Sequence, residues 1–180
     1  MKHSILLLIA IVLAIPQILQ AKLIVPFTDM DTYVKQVKTV FIGETLAIDE
    51  NTPYSNVCRR NMRVLCVLAG PVKQGDTISV LVFSPLMPGS IYLICSGMEA
   101  LNKKGELDAC TYEPGAVEIQ LWGEVSKAEK QARVSKFLKE LEGKPLKEQL
   151  RYIFEMRIRQ LKEAEREMKR EQDVLEKAVQ

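Results

Sequence analysis

From Ser126 to Gln180 the chain meets only two helix breakers, Gly143 and Pro145, whereas residues 22–125 are punctuated by glycine and proline throughout. An uninterrupted polar-apolar pattern of that length favours helix, and short apolar runs between turn residues favour strands. The sequence therefore predicts a β-rich part over 22–125 and a helical part over 126–180. Charge divides the same way. The first part carries 9 Lys+Arg against 12 Asp+Glu, and the second carries 15 against 11. A whole-chain charge of +2 is too small to argue for attraction to nucleic acid or membrane.

Ahead of both lies an address. Lys2 and His3 precede an apolar run from Ile5 to Ile15, broken at Pro16 and ending at Gln20-Ala21. That order reads as a signal peptide over 1–21, with a mature chain beginning at Lys22 and an exported destination, secreted or periplasmic. A membrane anchor fits less well, since the 11-residue run would cover about 16 Å as helix against a hydrocarbon core of about 30 Å. No other span is expected. His3 is the single histidine, so a processed chain would have none. Histidine-based triads, His-ligated zinc and His general bases then fall away.

Export also changes how Cys58, Cys66, Cys95 and Cys110 are read, because disulfides persist outside the cytosol. Four cysteines allow three pairings. The Asn102-Lys103-Lys104-Gly105 turn favours Cys95 with Cys110, leaving Cys58 with Cys66; free buried thiols are the alternative. The absence of Cys-x-x-Cys argues against a redox motif or a thiolate zinc site.

Five strands are expected: Thr39 to Ile48, Arg63 to Leu68, Thr77 to Phe83, Ile91 to Ser96 and Val117 to Trp122, with a short sixth near Leu107 to Thr111. Gly43 inside the first suggests a bulge or bend. Val64, Cys66 and Leu68 should share one face of the second, opposite Leu65 and Val67. Asp29 or Asp31 can cap a short helix through Tyr33, Val34 and Val37. Strands of this spacing suggest a small barrel or sandwich, and the five-stranded barrel of the oligonucleotide/oligosaccharide-binding type is the natural size. In the helical part Ser126, with Glu129 three residues on, predicts a helix to Glu142. Pro145 then opens a second helix running on to the terminus, a rod on the order of 50 Å that a small barrel cannot cover. Phe154, Leu161, Met168 and Leu175 recur at seven-residue intervals, a weak coiled-coil pattern interrupted by Arg157 and Glu171, and helix-mediated self-association follows from it.

Several short blocks bear a family resemblance. Tyr33-Val34-Lys35-Gln36-Val37-Lys38-Thr39-Val40-Phe41-Ile42-Gly43-Glu44 looks like the opening of the netrin-like module of tissue inhibitors of metalloproteinases. Val67-Leu68-Ala69-Gly70-Pro71 followed by Gly75-Asp76-Thr77-Ile78-Ser79-Val80 resembles its paired strands. Leu86 to Leu93, with Pro88-Gly89 and Tyr92-Leu93, resembles a further strand, and Cys110 sits where that family places a cysteine. The resemblance spans 29–122 and implies the same barrel type. It does not extend to inhibition, because those inhibitors begin with Cys-x-Cys, and here the expected start is Lys22-Leu23-Ile24.

Arg59, Arg60 and Arg63 are the one dense basic cluster outside the tail and a candidate for anionic polysaccharide. With few aromatics to stack bases, nucleic acid is not favoured. The carboxylate pairs Asp29/Asp31 and Asp49/Glu50 lie in turn contexts that capping explains. No phosphate loop, nucleophile elbow or zinc-protease motif occurs, and no cofactor is implied. The expected function is a non-catalytic, exported module that binds another protein through the barrel surface and helical tail. The other readings are an inhibitor of an extracytoplasmic protease that does not use its terminus, and an anionic-glycan binder of an envelope or matrix.

Overall fold

The computed structural model describes residues 29–46, 58–83, 86–109, 115–119 and 126–179, with side chains up to 174. The signal segment, Cys110, Asp49 and Glu50 lie outside these residues. Helix α1 (Met30–Gln36) leads into six strands: β1 (Thr39–Thr45), β2 (Cys58–Ala69), β3 (Thr77–Val82), β4 (Ile91–Ser96), β5 (Glu106–Asp108) and β6 (Ala116–Glu118). Two helices follow, α2 (Lys127–Leu141) and α3 (Leu146–Val179).

The strands form one curled sheet, a half-barrel in the order β5-β3-β2-β1-β4-β6. A β-sheet part is followed by a helical tail, as expected, but among the described residues six strands replace the five. The short sixth is real at Glu106–Asp108, where it runs parallel to β3 and sets Ser79 against Glu106 and Leu81 against Asp108. The other pairings are antiparallel.

β1 sits in the middle because its side chains are apolar in both directions. Phe41 enters the concave interior with Met62, Val64, Ile78, Val80, Val82, Ile94 and Leu107. Val40 and Ile42 face the other way with Ile91, Leu93, Cys95, Val117 and Ile119. The helices cover this second face: Tyr33 and Val37 from α1, Phe137 and Leu141 from α2, and Leu150, Ile153 and Phe154 from α3. All six residues of β4 are buried, as a strand sandwiched between two apolar layers requires. Burying each such large side chain stabilises the fold by roughly 1.5–3 kcal/mol. The sheet and the tail therefore share one core, on the face opposite the interior cluster.

β2 does not alternate as the sequence suggests. Register shifts fall between Val40 and Phe41 and between Ile42 and Gly43, so Leu65 and Cys66 both join the helix-facing layer while Val67 turns inward. A bulge puts two residues opposite one and breaks the two-residue period. Gly43 serves this by size. A Cβ there would lie 2.9 Å from Phe41 Cε2 and 3.2 Å from the Arg63 carbonyl oxygen.

Local helix signals act as their chemistry dictates. Asp29 accepts from the Thr32 amide at 3.1 Å, capping α1. Ser126 accepts from the Glu129 amide at 3.3 Å, capping α2. The Glu129 carboxylate, however, turns to Arg133 at 2.7 Å instead of closing a reciprocal box. Gly143, at φ 73°, ends that helix. Pro145 then accepts the first amides of α3, from Glu148 at 2.9 Å and Gln149 at 3.1 Å.

Candidate interaction surfaces

The first half of β2, with β3, presents an outer face that the described helices do not pack against. Alternation along β2 puts Arg59, Asn61 and Arg63 on it, opposite Leu81, Ser79 and Thr77 of β3. Arg60 lies between Cys58 and Met62 and points to the interior side; its Nη1 donates to the Arg59 carbonyl at 2.8 Å. The expected three-arginine cluster is thus split between two faces by strand geometry.

The two outward arginines are also neutralised. Arg59 pairs with Glu106 of β5 at 2.5 Å, and Arg63 pairs with Glu44 of β1. Glu44 is a hub, for Lys130 of α2 reaches it at 3.2 Å and also donates to the Gly89 carbonyl. Partial burial alone would raise the Glu44 pKa, but hydrogen bonds from Arg63 and Lys130 outweigh it and hold the carboxyl below the usual range. A depressed carboxylate contributes stability above its unfolded pKa, about 4.3, and loses it as pH falls through the folded value. Glu44→Gln should therefore melt below the unchanged protein at pH 7, by less than about 1 kcal/mol for so solvent-screened a network. The gap should close as pH falls from 6 to about 3. Thermal melts across that range check it, and a gap independent of pH would rule out the ionic hub.

The cysteines do not form the second expected bridge. Cys58 and Cys66 stand eight residues apart on one extended strand, roughly 26 Å, against a disulfide limit of about 7 Å between Cα atoms. Both are free thiols, as is Cys95. Burial pushes the Cys95 thiol up to about 12, opposed in part by a hydrogen bond with Tyr33. The Cys66 thiol is also raised, first by burial and then by Glu142. Thiols held protonated are packing groups, not nucleophiles.

Asp29 is occupied as a cap, and Asp31 accepts from Lys147 of α3 at 2.6 Å. Among the described residues no group of three or more His, Cys, Asp or Glu side chains could hold a metal ion, and no helix is long and apolar enough to cross a membrane.

A second surface begins where α3 leaves the sheet. Arg157 is 8% exposed and its Nη2 reaches Glu118 of β6 at 3.4 Å. Since β6 is the last strand of the sheet among the described residues, this contact ties α3 to the sheet's end. Beyond it, from Lys162 through Val174, every residue but Gln172 is exposed. Two apolar side chains stand out on the half-barrel: Phe83, 57% exposed just past β3, and Met87, 62% exposed. Nothing in the sequence pattern marks Phe83 or Met87 as exposed, and an arginine inside an otherwise apolar helical stripe is the one signal of the Arg157–Glu118 contact.

No protein-family model matches the chain, and no curated protein matches it significantly.

Proposed function

We propose that the chain is an exported, non-catalytic binding module: a netrin-like barrel of the oligonucleotide/oligosaccharide type whose bare sheet face and protruding helix hold another protein. The observation that carries this reading is the length of α3 from Lys162 to Val174, where all residues but Gln172 are exposed, about 20 Å of helix beyond its own core. Strand order supports the barrel type. β1, β2 and β3 form a meander and β4 returns to the free side of β1, which is the Greek-key arrangement of such barrels.

The engagement of Arg59 by Glu106 and of Arg63 by Glu44 favours a protein over an anionic polysaccharide, because a polyanion would have to displace carboxylates already paired. The test is capture from the native exported fraction by the full chain and by a chain ending at residue 161. The full chain should retain a partner in about 0.5 M salt, where surface charge attraction is largely screened, and the shortened chain should lose it. A partner held equally by both sinks the role of the tail; steep release by salt would favour the glycan instead.

A further inference from the structure

Two rows of side chains run along the covered face of α3, each stepping by four residues: Leu146, Leu150, Phe154 and Ile158 in one, and Ile153, Arg157 and Leu161 in the other. A slide of the helix by four residues, about 6 Å with a rotation of about 40°, would carry each residue into the place of its neighbour. In the first row every such exchange is apolar for apolar. The second row differs. A slide that draws the distal half inward would set Leu161, half-buried now, in the buried place of Arg157, and the same slide would force Arg157 into the place of Ile153. Ile153 is 0% exposed and packed among apolar residues of the sheet and the other helices. A guanidinium there would be stripped of water without an acid beside it.

Stability does not account for an arginine at this point. Arg157 is the one buried cation among the described residues. Its Nη2 reaches Glu118 only at 3.4 Å, and its Nη1 is buried with no hydrogen-bond partner among the described residues. So long a contact to one carboxylate offsets little of the dehydration of a guanidinium, and an apolar side chain of similar length should hold the fold as well or better. Other polar contacts restrain the start of α3, from Lys147 to Asp31 at 2.6 Å and from Gln149 to the Leu141 carbonyl at 2.9 Å. Those tie it to α1 and α2; Arg157 ties it to the sheet.

We infer that Arg157 is a register pin: paired with Glu118, it selects the one position along the sheet at which α3 docks, and so the direction in which the distal helix leaves the protein. This goes beyond the reading of α3 as an interface, because it concerns where the helix points, whatever it meets.

The test is nuclear magnetic resonance of the full chain carrying Arg157→Met, beside thermal melts. The variant should melt at or above the unchanged protein. Its methyl signals from Leu150, Ile153 and Leu161, single in the unchanged protein, should nevertheless split into two sets, one of them with Leu161 in nuclear Overhauser contact with Glu118. Arg157→Lys keeps the charge and should keep one set. Glu118→Gln leaves the guanidinium buried without the charge of Glu118, so hydrogen exchange of the amides from Ile153 to Leu161 should quicken about tenfold. One set of signals with unaltered contacts in Arg157→Met overturns the inference, as does unaltered exchange in Glu118→Gln. Two sets in Arg157→Lys would make side-chain shape, not charge, the selector and overturn it as well. A melting temperature lowered by more than about 5 °C in Arg157→Met, or a failure to fold, would make the pair a source of stability instead of a pin.

Discussion

Phe154→Ala is expected to lower the unfolding free energy by about 3–5 kcal/mol, moving the melting temperature down by roughly 6–20 °C for a chain of this size. Phe154 is fully buried among residues from the sheet and all three helices, and its ring meets that of Tyr33 edge-on at 5.9 Å. Removing it opens a cavity where α1, α3 and the outer face of β1 and β4 converge, and a site pinned from several sides relaxes little. Ending the chain at residue 161 should behave quite differently. It removes mainly exposed side chains, and the melting temperature should move by no more than surface changes usually cause, about 0.5 kcal/mol. Circular dichroism melts of the two variants give the comparison. Equal losses would mean that the distal helix carries core packing after all; no loss from Phe154→Ala would mean that the tail is not part of the core.

Gly70→Ala should cost about 2–5 kcal/mol, combining a left-handed backbone with steric overlap. Its φ is +100°, and a Cβ would fall 2.8 Å from Thr39 Cα and Oγ1 and 2.9 Å from the Lys38 carbonyl oxygen. Little of that can yield, because Thr39 is buried at the start of β1 and its hydroxyl donates to the Met98 carbonyl at 2.6 Å. Gly75→Ala supplies the control. Gly75 also has positive φ, +90°, but a Cβ there would meet nothing within 4 Å, so only the backbone cost of about 1–2 kcal/mol applies. The difference between the two, read from urea unfolding, measures the approach of Gly70 to Thr39. Matching values would remove steric contact from the explanation.

Where the determinants are local, residues announced the structure well. Ile91–Ser96 forms β4 with the expected bounds, and Ser126 starts α2 as a serine ahead of a helical pattern should. Gly43 does mark a bulge. The expected second strand starts too late, at Arg63, because Arg59, Arg60 and Asn61 look like a polar loop. They extend the strand because its outer face is solvated while Met62 and Val64 remain in the core. The candidate arginine cluster failed for a different reason. Adjacency in sequence separates side chains in a strand, and the acids that quench Arg59 and Arg63 lie 47 and 19 positions away. Likewise, Glu118 and Arg157 meet across 39 positions, a pairing that no window of sequence contains. The bridge between Cys58 and Cys66 follows only by elimination once Cys95 is set with Cys110, and the length of a continuous strand defeats it.

The shared core also imposes an order of events during synthesis. β4 is complete at Ser96, but Phe154, which helps seal its outer face, is made 58 residues later, or about 3–12 s at ribosomal speeds. Until then Val40, Ile42, Leu93 and Cys95 have only α1, and later α2, as a partial helical roof. The nascent chain emerges with an adhesive half-finished sheet, and anything that binds greasy strands, whether chaperone or neighbouring polysome product, competes with the last helix for the same ground.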